Sequence, residues 1–489
     1  MLNLESADFG KVKIETLVIP VCEDNDIHDD QTISLLIEKA KGFKEFKGEK
    51  GDNLIFYNPD EVNAQRVILL GLGTLEKTDL ETLRQAGGRA VKQCIKKDLS
   101  EVRIAVPCAG KINLDIASVI EGLMEGAFLG NHLFDRYKQD KKHKPLSEIN
   151  LLVKPDMVDK FNELLSRVEL VCQGSILARD WVTTPSNDKR PEAFTQSIVS
   201  LAEQEDLTVT VLDEKELELN KFGGMLAVAA GSLSKPRLLV LEYNPKAAEK
   251  TVALVGKGVT FDSGGINLKP SSGLEEMKMD MAGAAAVAAT LITAARLKTR
   301  VRTIGVIPIV ENMPSGNAAR PGDIVRSYSG KTVEIENTDA EGRLILIDAI
   351  SYAIKQYKPQ TLIDMATLTG ACAVALGEKI AGAFSFDDQL AEGIVFSGKK
   401  THERCWRMPL PEDYKELIKS DLADIKNMSS SRWGGAITAA LFLSEFVEDT
   451  RWAHIDIAGP AYIEKESDYC GVGGTGFGVR LLCDLLEKL

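Results

Sequence analysis

Three stretches of the chain hold side chains able to do chemistry. TVALVGKGVTFDSGGINLKP, residues 251–270, leads from a strand-like apolar segment, Thr251–Val255, into a glycine-rich loop bearing Lys257, Asp262, Ser263 and Lys269. Polar groups at the carboxyl end of a parallel strand are where α/β enzymes place their sites. MKMDMAGAAA sets a lone acid, Asp280, at the entrance of an otherwise apolar helix. ENTDAEGRLILIDA, residues 336–349, spaces Asp339, Glu341 and Arg343 two apart. In an extended segment such residues face one side, so a turn presenting two carboxylates and a guanidinium together is expected. Taken singly, each acid is an ordinary solvated residue or helix cap. Together they interrupt apolar or glycine-rich stretches, where unpaired charge is costly, and four gathered carboxylates repel unless cations neutralise them. Oxygen donors with little histidine suit Mg²⁺, Mn²⁺ or Zn²⁺. Spacing alone leads to a metal-dependent enzyme and no further.

Other chemistries fit less well. A dinucleotide loop fails because Gly256 and Gly258 are followed by Phe261 where the next glycine is required. Ser329-Gly330-Lys331-Thr332 resembles the end of a phosphate loop, but Val325 stands in place of its first glycine. Asp262-Ser263-Gly264-Gly265 lacks the glycine at 261 of a serine nucleophile elbow, and none of the five histidines lies in a comparable loop.

The elements that position these stretches alternate along the chain. Strand-like runs are expected at Val67–Leu72, Val102–Pro107, Thr208–Leu212, Arg237–Leu241, Thr251–Val255, Thr303–Val310, Thr361–Met365 and Ala453–Ile457, and helices at Leu80–Ile95, Ile116–Leu129, Met279–Leu297, Leu344–Tyr357 and Ala436–Val447. Such alternation predicts an α/β protein with parallel or mixed sheets. With 489 residues, more than one domain is required. The charged, helix-breaking segment YKQDKKHKP, followed by a helical pattern over Met157–Arg179, puts the split near residue 160: an N-terminal α/β domain over 1–160 and a larger catalytic domain over 161–489 with a central mixed sheet flanked by helices. The chemistry all falls in the second.

A net charge of −13 gives no general attraction to nucleic acid or anionic membrane. The cluster Lys138, Lys141, Lys142, His143 and Lys144 is a local exception, read as a solvated loop. Eight scattered cysteines without a C-x-x-C pair fit reduced thiols. The N-terminus shows no signal or transit pattern, and the uncharged stretch Met281–Ala295 is short for a membrane span, so a buried helix and a cytoplasmic protein are expected.

NTDAEGRL at Asn337–Leu344 matches without change the signature octapeptide of the leucyl aminopeptidase, or cytosol aminopeptidase, family, and VGKGVTFDSGG, LKP and MKMDMAGAAAV occur in that family's order. ARDWVTTPSND, TLTGA, ADIKN, GGAITAALFL, WAHIDIAGPA and GTGFGVR also resemble family segments, so the resemblance is close from about residue 170 to the end. The first 160 residues are compatible with the family's variable, macro-like N-terminal domain.

This resemblance implies a metalloaminopeptidase with two divalent ions, Mn²⁺ or Zn²⁺, per subunit. Lys257, Asp262 and Asp280 would bind one ion and Asp339 and Glu341 the other, with Asp262 and Glu341 bridging; Lys269 and Arg343 would be catalytic. Two ions about 3.5–4 Å apart clamp attacking and carbonyl oxygens. Lys257 would have to ligate as a neutral amine, although a free lysine titrates near about 10.4. Arg343, which cannot act as a base at neutral pH, would hold a bicarbonate that shuttles the proton to the leaving amine. Met277, Thr367, Leu368 and Gly370 match substrate-contacting positions and imply a preference for leucine or another apolar residue at a free N-terminus. A homohexamer is likewise implied. The alternative is a DNA-binding regulator that keeps the fold, as some bacterial relatives do.

Overall fold

The computed structural model describes residues 2–6, 9 and 13–489. The chain divides into two units: one runs to Cys172 and takes in Lys465–Val472, and the other comprises Gln173–Glu464 and Gly473–Leu489. The division falls inside a helix, Asn162–Thr183.

Among the described residues, the first unit is a six-stranded sheet with helices on its faces. Its elements are β1 (Leu2–Ser6), β2 (Ile14–Cys22), α1 (Gln31–Lys41), β3 (Asn53–Tyr57), β4 (Ala64–Gly73), α2 (Leu80–Ile95), β5 (Glu101–Ala105), α3 (Ile116–Gly130) and β6 (Glu148–Val153). The strand order is β1-β6-β5-β2-β4-β3, parallel throughout except for β3 at the edge. The Asp79 carboxylate caps α2 while Thr82 reaches back, a reciprocal capping box. Helix α1 packs Ile33, Leu36 and Ile37 on the sheet face carrying Leu17, Ile19, Val67 and Leu69. α2 and α3 lie so close that a Cβ at Gly126 would stand 1.8 Å from the Arg84 carbonyl oxygen. The chain segment 465–472 contributes Tyr469, whose hydroxyl lies 3.1 Å from the Glu81 carboxylate on α2.

Among the described residues, the second unit centres on a nine-stranded mixed sheet: β7 (Thr208–Leu212), β8 (Arg237–Tyr243), β9 (Thr251–Gly256), β10 (Gly258–Asp262), β11 (Arg302–Asn312), β12 (Thr361–Ala366), β13 (Ala381–Phe384), β14 (Cys405–Arg407) and β15 (Arg451–Asp456). The order is β14-β13-β15-β12-β9-β11-β8-β7, with β10 paired to β11. The four central strands, β15, β12, β9 and β11, are parallel, and β8 and β13 flank them antiparallel. β9 and β12 are nearly continuous buried apolar runs, the pattern of strands covered on both faces. Helix α4 (Ala282–Leu297) is apolar all round and buried along almost its whole length, as a core helix must be. Its small residues permit close approach: a Cβ at Gly283 would sit 2.0 Å from the Met365 carbonyl oxygen on β12. Leu274–Leu297 is long and apolar enough to cross a membrane, yet 89% of its most apolar window is buried within the protein. A second helix, α5 (Glu341–Tyr357), is also buried on most sides.

One local expectation is corrected. Asp339, Glu341 and Arg343 do not share an extended segment. Asp339 lies in a turn, and α5 begins at Glu341, three residues before the expected start. The apolar run LILIDAI drives a helical period back to the octapeptide's own glutamate.

Candidate metal centre

The carboxyl ends of β9, β10 and β12 and the amino ends of α4 and α5 converge. Lys257 follows β9, Asp262 ends β10, Asp280 precedes α4, Thr367 and Leu368 follow β12, and Glu341 opens α5. Oxygen atoms of Asp262, Asp280 and Glu341 lie within 4.8 Å of one another, all three residues being buried. Lys257 Nζ stands 2.7 Å from Asp280 Oδ1 and 2.9 Å from Glu341 Oε1, and it donates to the Thr367 carbonyl at 2.9 Å. Lys269 Nζ lies 2.9 Å from Asp262 Oδ2 and 2.6 Å from Asp339 Oδ1. Asp339 is therefore joined to the cluster through Lys269 and stands outside the compact group of three.

Electrostatics follow from burial among like charges. Burial raises Asp262, Asp280 and Asp339 above the carboxylate range, helped by Glu341 at Asp262 and by Asp262 at Asp339. Burial alone would lower Lys257 and Lys269, but Asp280, Glu341 and Asp262 outweigh it at Lys257, and Asp262 and Glu341 do so at Lys269, so both titrate above an ordinary lysine. Burial lowers Arg343 to about 10, which leaves it charged at neutral pH. Its Nη1 donates to the Asn427 carbonyl at 2.8 Å, and its buried Nε has no partner.

These residues fit divalent cations. Asp280 Oδ2 and Glu341 Oε2 are buried and unpaired, which is costly for carboxylate oxygens unless a cation is their natural partner. The donor set is all oxygen apart from Lys257, suited to hard or borderline ions. Glycine at 342 is dictated by the same packing, because a Cβ there would lie 2.5 Å from Lys257 Cε and 2.7 Å from its Nζ.

Of the positions expected to contact substrate, Thr367 touches the cluster directly. Thr367 Oγ1 donates to Asp280 Oδ1 at 2.7 Å. Leu368 and Met277 are half-buried, and Gly370 is exposed with open space where a Cβ would point.

Four further residues hold the site and were not read as functional in the sequence. Asn312, at the end of β11, donates to Asp262 Oδ1 at 2.8 Å and to the Thr338 carbonyl at 3.1 Å. Thr338 Oγ1 donates to the Gly264 carbonyl at 2.6 Å. Asp456, at the end of β15, accepts from the Leu368 amide at 3.1 Å and from Thr369 Oγ1 at 2.7 Å, fixing the TLTGA loop. Asn427 is fully buried. Its Oδ1 accepts from the amides of Glu336 and Asn337 at 2.8 and 3.3 Å, and its Nδ2 donates to the carbonyls of Asn337 and Ala340 at 2.7 and 3.3 Å. One side chain thus clamps the turn bearing Asp339 and Glu341, while its backbone holds Arg343. Asn427→Ala is expected to lower stability by about 2–4 kcal/mol, since several buried backbone groups lose their partners, and to weaken metal binding; urea unfolding and a metal titration check both.

An α/β enzyme with a buried, metal-suited acidic centre at its strand ends is the class that fold and site define. Comparison with known proteins narrows this. The pattern of the cytosol aminopeptidase family, catalytic domain, matches residues 176–483, and that of the same family's N-terminal domain matches residues 22–141. The chain is 44% identical to a probable cytosol aminopeptidase of Chlorobium phaeobacteroides over 98% of this chain and 97% of the relative. It is 41% identical to one of Geobacter sulfurreducens over 100% and 99%. The solved structure of the bottromycin maturation enzyme BotP in complex with Mn is similar at a TM-score of 0.87 and 33% identity, covering 97% of this chain and 99% of that one. The chain belongs to the cytosol aminopeptidase family and is an aminopeptidase, a metal-dependent hydrolase.

Proposed function

We propose that this chain removes the first residue, preferentially leucine or another apolar residue, from peptides with a free N-terminus, using two divalent ions. The observation that carries this reading is the gathering of Asp262, Asp280 and Glu341 around Lys257 with two carboxylate oxygens left unpaired. With its proton displaced by the cation, Lys257 would join Asp262 and Asp280 in holding one ion and Asp339 and Glu341 would hold the other, with Asp262 and Glu341 shared. BotP's complex with Mn supports Mn²⁺, and Zn²⁺ suits the same donors. Bound ions supply Lewis acidity and lower the pKa of water.

The chain's own groups do the rest. Lys269, charged and only partly buried, is placed to donate to the oxyanion that develops on the scissile carbonyl, the kind of preorganised help that dominates many rates. Arg343 stays cationic and would hold bicarbonate through its unpaired Nε; that anion would supply a proton carrier. Asp456 fixes the loop of Thr367, Leu368 and Gly370, and with Met277 this loop forms the wall for the substrate's first side chain. Replacing Gly370, where open space adjoins the backbone, by Leu is expected to raise KM for leucyl substrates more than it lowers kcat, read from steady-state kinetics on leucinamide and alaninamide.

The relatives' name, probable cytosol aminopeptidase, supports a cytosolic location for this chain. The homohexamer is supported by large exposed apolar side chains on the catalytic unit, among them Trp406, Leu422 and Trp433, which a second copy would cover. Light scattering is expected to give six chains per particle, and a stable monomer would contradict it. The DNA-binding alternative has no support: within the basic cluster Lys141 pairs with Asp135 at 3.2 Å and His143 contacts Asp98 at 3.1 Å.

A further inference from the structure

The first unit contains a cavity of about 450 Å³ that the peptidase chemistry does not use. It lies where the sheet changes direction. From β2 the chain passes through α1 toward β4 on one side of the sheet order, and from β5 through α3 to β6 on the other. Crossovers of one hand must then place their helices on opposite faces. The crevice this leaves at the carboxyl ends of β2 and β5 is where open α/β sheets bind ligands. The cavity's lining comes from the segments after β2, after β5 and at the end of β6.

Its chemistry is divided. The inner wall is apolar, built by Ile33, Val106, Ile116 and Leu152, of which Ile33 and Leu152 are buried. The mouth carries opposite charges side by side. Lys154 Nζ lies 3.2 Å from Asp29 Oδ2, and Cys108 Sγ donates to Asp29 Oδ2 at 2.7 Å; Lys111, outside the lining, lies 3.6 Å from Asp29 Oδ1 and donates to the His28 carbonyl. Asp30, also lining the cavity, is occupied in capping α1. Acids here balance or outnumber the lysines, which disfavours a polyanion such as a nucleoside phosphate. A carboxylate and an ammonium about one residue's width apart, before an apolar pocket, complement a zwitterion with an apolar tail. The Lys154 and Asp29 side chains are 57% and 44% exposed, so their pairing is weak and exchanges readily for contacts to a ligand.

We infer that this cleft binds a free α-amino acid with an apolar side chain: its carboxylate meets Lys154, its ammonium meets Asp29, and its side chain enters the pocket of Ile33, Val106, Ile116 and Leu152. The ligand belongs to the class of products an aminopeptidase releases. The inference does not depend on which residues form the metal centre.

The test is equilibrium dialysis of labelled L-leucine against the full-length, metal-loaded protein and three variants: Glu341→Ala, Asp29→Asn/Lys154→Gln, and the combination. Glu341→Ala removes binding at the peptidase centre and is expected to retain one leucine per chain. Adding the cleft substitutions is expected to weaken that binding by about tenfold or more, while the cleft variant alone keeps peptidase activity. On the Glu341→Ala protein, whose cleft is intact and which does not turn the amide over, N-acetylleucine and leucinamide, each lacking one charge, are expected to bind at least about tenfold more weakly than leucine. An unchanged isotherm in the cleft variants, equal binding of the two analogues, or displacement of leucine by equimolar AMP would overturn the proposal. Peptidase activity surviving Glu341→Ala would instead count against the metal-centre reading and leave the cleft result standing.

Discussion

Glu341→Ala is expected to reduce kcat/KM for leucinamide by about a thousandfold. Lewis-acid stabilisation by bound ions is worth several kcal/mol, and each about 1.4 kcal/mol is a factor of ten. Glu341 sits where that help is organised. It approaches Lys257 at 2.9 Å, shares the compact group with Asp262 and Asp280, and carries a buried unpaired oxygen. Removing it takes a donor from both proposed ions. The loss should appear in kcat with the bound metal count falling in parallel. Normal turnover with fewer ions would detach the cluster from the reaction.

Lys269→Met is expected to lower kcat by about 10²–10³-fold, the usual cost of losing one preorganised oxyanion donor, with KM little changed. The residue pairs with Asp262 and Asp339, so its loss also leaves those carboxylates without their shared counter-charge. The two effects separate in measurement. If Lys269 serves the oxyanion, the variant keeps its metal and loses rate. If it only neutralises carboxylates, metal affinity changes and added metal restores turnover.

Much of the catalytic unit was legible because its signals are local. The buried runs of β9, β11, β12 and β15 stand out as strands, and α4 is apolar throughout. The residues expected to do chemistry lie at the ends of those elements, as α/β architecture requires. What the sequence hides is long-range. Asn427 lies more than eighty residues from every group it clamps; the ADIKN segment is visible as a family segment, but its role exists only once the short strand Ile425–Lys426 pairs in parallel with Thr332–Glu334. Asp456 likewise meets Thr369 only through the pairing of β12 with β15. The placement of 465–472 with the first unit depends on contacts such as Tyr469 to Glu81, which no local pattern encodes. The cleft of the first unit was hidden for the same reason, since Asp29 and Lys154 are unremarkable charges until β2, β5 and β6 align.

The error at Asp339–Arg343 has a different cause. Regular spacing by two suits extended chain, while the apolar period that follows belongs to a helix able to extend to Glu341. The residues named were unaffected, but the geometry was: Glu341 turns to Lys257 and Arg343 to Asn427.

The central claim is that catalysis depends on divalent ions held by these side chains. Its most direct test is to strip the protein with a chelator, restore Mn²⁺ in steps, and follow leucinamide hydrolysis together with the ions retained per chain by elemental analysis. The prediction is near-zero turnover in the stripped protein and full recovery as the second equivalent binds. Undiminished hydrolysis by metal-free protein would contradict it.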